Sequence, residues 1–212
     1  MKTTEMPNMS NAANPMRDPG MRAAVPRPTT GRLRLRPTQR GRGFVVGIVD
    51  AAGPDTNGFA PRDRVAWRDV PIPGSEPPVK AELGELLLLD QDDVLGVPSW
   101  VSDDQVVSYL GAGLIARALV RTRPFGRGDE IRVVSTDTLV QEMTAAWAKS
   151  LGARVVDQGG AFAIHDEPQA RRSILGSHGK LAQAAVEVFQ AIRAGVFDEV
   201  GGISRADVRT AA

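Results

Sequence analysis

The sequence predicts an α/β protein in which a β-rich first half precedes a parallel strand–helix–strand unit. Three observations carry this reading. β-Branched apolar runs alternate with Gly/Pro/Asn-rich turns as far as Pro98. A run with helical apolar spacing follows a capping sequence at Ser102. A strand, a helix and a second strand then succeed one another between Ile131 and Val156.

Residues 1–20 are rich in Met, Asn and Pro without apolar periodicity, and read as a disordered tail. Met21–Val25 and Leu33–Leu35 are the first short strand candidates. Arg32, Arg34 and Arg36 alternate along the second of them and would line one solvated face. Phe44–Val49, a turn at Gly53–Gly58 and Asp63–Trp67 form a strand–turn–strand unit. Four prolines and a glycine make residues 71–78 an irregular loop, and Glu82–Asp90 and Val94–Pro98 complete the β-rich part. Ser102 with Gln105 three positions on makes a capping box for a helix reaching Val120. Gly111 and Gly113 inside that helix each cost about 1 kcal/mol relative to Ala, which signals close approach of a neighbour. A strand at Ile131–Val134, a helix from Leu139 to Leu151 stopped by Gly152, and a strand at Ala153–Val156 make the parallel unit. A second amphipathic helix, Lys180–Ala194, ends at Gly195.

Composition bounds the chemistry. The 212 residues are ordinary globular in make-up, 42% hydrophobic and 24% charged, and suit one large or two small domains. With no cysteine, the chain makes no disulfide, thiolate metal site or cysteine nucleophile. His165 and His178 are the only histidines, too few for a histidine metal cage, and no metal is expected. No apolar run reaches the length of a spanning helix and no apolar signal core follows Lys2, so a cytoplasmic location without membrane contact is expected. Residues 1–42 carry nine Lys/Arg against two Asp/Glu, and the remainder 17 against 23, so a basic arm precedes an acidic body. The basic stripe lacks interleaved aromatics, which argues against a nucleic-acid partner.

Asp63–Trp67, Val101–Gln105, Gly128–Val134 and Ala148–Val156, in this order and spacing, resemble the medium-chain dehydrogenases/reductases. The branch most resembled is that of the zinc-independent quinone oxidoreductases and enoyl reductases, and Met21–Val25 is similar to that family's first strand. The resemblance implies a shortened GroES-like β-rich domain over residues 21–100 and a truncated Rossmann-like domain with a C-terminal helix over 101–212. Pieces of the family pattern are missing between Leu35 and Gly43 and after Asp157. The family's glycine-rich turn, where backbone approaches a pyrophosphate, falls on Thr138, Leu139 and Gln141, all with bulky side chains. Asp157 ends the second strand 19 positions after Thr138, near the offset of an acidic ribose ligand. Ser135, Thr136 and Thr138 are hydroxyl donors for a phosphate, or equally turn and cap residues.

For acid–base chemistry the candidates are His178, between flexible glycines beside Ser177; Tyr109, the sole tyrosine; and His165, in a loop-like segment beside Asp166 and Glu167. Each has a plainer reading as a solvated loop histidine or a satisfied core tyrosine. Trp67, Trp100 and Trp147 are candidates for a pocket wall, though Trp147 has core spacing. Three functional expectations follow. The first is a cofactor-independent tailoring enzyme, a cyclase, dehydratase or isomerase acting on a small polyketide-like or enone molecule, because the scaffold motifs persist while the glycines do not. The second is an NADPH- or NADH-dependent quinone or enoyl reductase. The third is a non-catalytic binding or assembly protein, and a homo-oligomer, most simply a dimer through exposed strand edges, is expected throughout.

Overall fold

The computed structural model describes residues 27–69, 82–122, 124–166 and 178–202. The strand expected at Met21–Val25, the tail and the loop at 71–78 lie outside them.

The first part is one antiparallel sheet. Its strands are β1 (Arg32–Arg40), β2 (Phe44–Ala52), β3 (Arg64–Arg68), β4 (Leu87–Asp90) and β5 (Val94–Gly96), in the order β4-β1-β2-β3-β5. β1 runs on past Leu35 through Pro37, which faces Gly47 of β2 beyond the stretch that pairs with β4. The missing proline N–H therefore takes no hydrogen bond from the ladder. β2 explains its own continuous apolar run, since a strand covered on both sides has no polar face to show. Val45 and Val49 join Leu33, Leu35, Val65, Trp67, Leu87 and Leu89 in a core held within the sheet. Phe44 and Val46 turn the other way, into the larger core shared with the helices.

The arginines of β1 are matched with acids. Arg32 meets Asp90 at 3.1 Å, Arg34 and Arg36 share Asp50 at 2.7 and 3.2 Å, and Arg40 meets Asp69 at 3.1 Å.

Helix α1 (Asp103–Val120) begins with the expected capping box: Ser102 Oγ accepts the Gln105 N–H and Gln105 Oε1 accepts the Ser102 N–H. Its start is bolted to the sheet by Arg64 of β3, which pairs with Asp103 and donates to the carbonyls of Pro98 at 3.2 Å and Val101 at 2.8 Å. The two helix glycines serve close packing. A methyl on Gly111 would stand 3.0 Å from the Arg42 carbonyl, and one on Gly113 would stand 2.7 Å from Val188 and 3.2 Å from Met143.

The second part is a parallel sheet of β6 (Glu130–Val134), β7 (Arg154–Val155) and β8 (Phe162–His165), in the order β7-β6-β8. Helix α2 (Thr138–Ser150) is the crossover from β6 to β7, and α3 (His178–Arg193) follows β8. α2 buries Val140, Met143, Thr144, Trp147 and Ala148, and α3 buries Leu181, Ala184, Ala185, Val188, Phe189 and Ile192, both at helical spacing. α1 lies against both helices. Gly152 and Gly195 stop α2 and α3 with φ of 97° and 74°, the left-handed conformation that a helix end favours. β8 corrects the sequence reading: His165 ends a strand rather than sitting in a loop. His178 likewise opens a helix instead of preceding one. No helix among the described residues is long and apolar enough to cross a membrane.

Candidate functional site

In an open parallel sheet, ligands bind outside the carboxyl ends of the strands where successive connections leave in opposite directions. Here that point lies between β6 and β8, because the chain goes from β6 to β7 on one side and then returns to β8 on the other. The turn after β6 is tied together by its own side chains. Ser135 Oγ donates to Asp166 Oδ2 at 2.8 Å, joining the ends of β6 and β8, and accepts the Asp137 N–H at 3.1 Å. Asp137 caps α2, its Oδ1 accepting the Leu139 N–H at 3.0 Å and the Val140 N–H at 3.2 Å.

Beside this turn a groove of about 620 Å³ runs between α2 and the strands. One wall is the outward stripe Gln141, Ala145 and Lys149, spaced four residues apart on α2. The other is built by Arg132, Val134, Val156, Asp157 and His165. The partly exposed side chain of Arg132 makes no hydrogen bond or ion pair among the described residues, and its Nε is buried without a partner. Leaving such a donor unsatisfied costs about 1–3 kcal/mol.

A second cavity, of about 660 Å³, opens where the β-rich part meets the helices, lined by Gly41, Arg42, Val107, Ser108, Tyr109, Thr138, Leu139, Glu142 and Gly201. Tyr109 is buried on α1, its hydroxyl 3.4 Å from the Val200 carbonyl, and burial with Asp198 nearby pushes its phenol above the ordinary value. Glu142 accepts the Gly201 N–H at 3.1 Å and so ties the short 3₁₀ turn Val200–Gly202 to α2.

The structure thus divides the sequence candidates. His165, Gln141 and Asp157 share the groove; Tyr109 and Thr138 share the second cavity; Ser135 holds the turn and Thr136 is exposed in it. His178 is the first residue of α3, and its side chain lies outside the described part. The tryptophans do not converge. Trp67 is in the sheet core, Trp147 packs edge-on to Phe197, and Trp100 is exposed under Arg193 at 5.3 Å. Among the described residues no group of three or more metal-ligating side chains comes together. Sequence reasoning missed Arg132 and Lys149. The available signal was an arginine in the middle of the first strand of a parallel unit, where both faces are ordinarily apolar.

No protein-family model matches the sequence, and neither does any curated protein. Solved structures do match. A quinone oxidoreductase of Pseudomonas syringae superposes with a TM-score of 0.60 at 15% identity, over 81% of this chain and 83% of that one. A mycobacterial protein complexed with NADPH gives 0.58 at 16% identity over the same shares. The Escherichia coli quinone oxidoreductase complexed with NADPH gives 0.50 at 16% identity, over 79% of this chain and 51% of that one. The chain has the medium-chain dehydrogenase/reductase fold in shortened form, a curled antiparallel GroES-like sheet joined to a truncated Rossmann-like one. Within that fold its likeness runs to quinone oxidoreductases.

These neighbours correct one expectation. Absence of a cofactor was inferred from the lost glycines, and it does not stand against structures of the same fold that hold NADPH. The local geometry qualifies where such a group contacts this chain. At the turn, the two amides that would face a diphosphate are taken by Asp137, and Asp166 adds a second carboxylate. The turn in this arrangement does not fit a diphosphate. The groove instead carries Asp157, exposed past β7, and the side chains of Arg132 and Lys149, neither of them hydrogen-bonded among the described residues.

Proposed function

We propose that this chain is a nicotinamide-nucleotide-dependent reductase of the quinone oxidoreductase kind, with the adenosine side of the nucleotide in the groove along α2. The observation that supports the reading is the placement of that groove, which opens at the carboxyl ends of β6 and β7 with Asp157 just past the second strand. This is where a ribose sits in doubly wound sheets, and an acidic residue there favours the free 2′-hydroxyl of NADH over the 2′-phosphate of NADPH. The second cavity is the substrate side in this reading. Val107 and Leu139 give it apolar surface, and the Tyr109 hydroxyl is a donor for a carbonyl oxygen. A planar quinone or enone is the substrate class this combination suits.

A thermal-shift titration of the intact chain with NADH, NADPH and both oxidised forms tests nucleotide binding. A saturable rise is expected, largest with NADH, since a ligand that binds only the native state stabilises it by mass action. Loss of 340 nm absorbance on adding a benzoquinone tests the reaction. Absence of any shift at millimolar nucleotide would overturn the reading.

A further inference from the structure

We propose that the groove is a phosphate-binding site centred on Arg132, placed on the face of the sheet rather than at the N-terminus of α2. Phosphates in folds of this type are ordinarily held by amides at the start of the first crossover helix. In this chain those amides are engaged by the Asp137 carboxylate, and Asp166 lies across the turn through Ser135. A phosphate arriving there meets two negative charges and no free donor from Leu139 or Val140. Arg132 offers the opposite environment.

Arg132 stands on β6, between β7 and β8, with its Nε buried and unpartnered. A guanidinium keeps its charge at any physiological pH, and a buried, unpartnered Nε–H on a partly exposed side chain is satisfied by an anion entering the groove. Lys149 brings a second cation to the same groove from the last turn of α2. The groove also holds two carboxylates, Glu142, which accepts the Gly201 N–H, and Asp157, exposed beyond the end of β7, and among the described residues neither pairs with Arg132 or Lys149. A planar fork with a neighbouring ammonium matches the oxygens of a phosphomonoester, and Asp157 matches the hydroxyls of an attached sugar. The ligand class is therefore a sugar phosphate or nucleotide, bound phosphate-inward. This inference does not rest on the reductase reading, since it concerns the phosphate group alone.

Isothermal titration with inorganic phosphate, adenosine 2′-monophosphate and adenosine 5′-monophosphate, against chloride at equal ionic strength, is the test. Saturable binding is expected for phosphate and tighter binding for a monophosphate. Arg132→Gln should weaken either by tenfold or more, and Lys149→Gln by a smaller factor. Because Arg132 is partly buried, circular dichroism of the variant is paired with a measurement on the unaltered protein. There the Arg132 Nε–H resonance should shift on adding phosphate and saturate with the calorimetric affinity. An unchanged resonance, equal affinity in folded Arg132→Gln, or no saturable binding of any of the three anions would overturn the site. Nicotinamide-nucleotide binding without saturable binding of any of the three anions would sink this proposal and leave the reductase reading standing, and phosphate binding without nicotinamide binding would do the reverse.

Discussion

Arg117 of α1 and Glu187 of α3 face each other in a two-pronged ion pair, Nε and Nη2 each donating to a different carboxylate oxygen at 2.7 Å. Arg121 adds a third N–H at 2.8 Å. The Arg117 hydrogen bond holds the Glu187 carboxyl below its usual range against the opposing effect of burial. A depressed carboxylate contributes stability that is complete above its unfolded pKa and disappears as pH falls through its folded one. The melting temperature should therefore drop more steeply below about pH 4.3 in the parent protein than in Glu187→Gln. Near neutrality, urea denaturation should show that variant about 3 kcal/mol less stable, because Arg117 is left nearly buried without its partner. Parallel pH profiles would contradict this.

The close approach at Gly113 makes a second expectation. Gly113→Ala adds about 1 kcal/mol of helix propensity, but its methyl would press on Val188 at 2.7 Å. Overpacking of this degree costs about 1–3 kcal/mol, so the variant should lose stability despite the better helix former. Combined with Val188→Ala, the loss should be smaller than the sum of the two single losses by about 1 kcal/mol, a coupling that additive behaviour in denaturation would disprove.

Asp137 gives a prediction that separates a cap from a charge. Asparagine caps about as well as aspartate, so Asp137→Asn should leave stability within about 0.5 kcal/mol. It removes a negative charge from the turn after β6 without altering Arg132, so binding of NADH should stay within about threefold of the parent. A larger gain in affinity would place the nucleotide's phosphates at this turn.

Tyr109 can be followed on its own, because the sequence has a single tyrosine. Burial raises its phenol, with Asp198 adding to the effect, so tyrosinate absorbance at 295 nm should develop with a midpoint above the ordinary value near 10. The contribution to stability is complete below that value and is lost as pH rises through the folded pKa. Tyr109→Phe should abolish the signal and, given the long 3.4 Å contact to Val200, cost under about 1 kcal/mol. A midpoint at the ordinary value would show the ring to be solvated.

Much of this architecture was legible in residue order. Ser102 and Gln105 announced α1 with its cap, Gly152 and Gly195 marked the ends of α2 and α3, and the apolar run from Phe44 announced a strand. β8 escaped notice because Phe162–His165 is four residues long and shows no clean alternation, while Gly159 and Gly160 before it read as loop. The site was less legible for a different reason. Motif reasoning looked for what the turn had lost, at Thr138, Leu139 and Gln141, and a missing glycine does not reveal that Asp137 has taken the amides. Nor does it show that Arg132, six residues before Thr138, lines the same groove as Gln141. Such pairings depend on which way side chains leave a strand and a helix that meet only in three dimensions.

The arginines of β1 carry a lesson about range. A lone cation projects a potential that falls as the inverse of distance, whereas one locked to an acid about 3 Å away acts outside as a dipole whose potential dies a power faster. Screening by physiological salt, over about 8 Å, then weakens it further. With Arg34 and Arg36 sharing one acid, this row of four arginines reads to an approaching polyanion as a finely striped surface with one cation in excess, and its strong short-range contacts hold strand to strand.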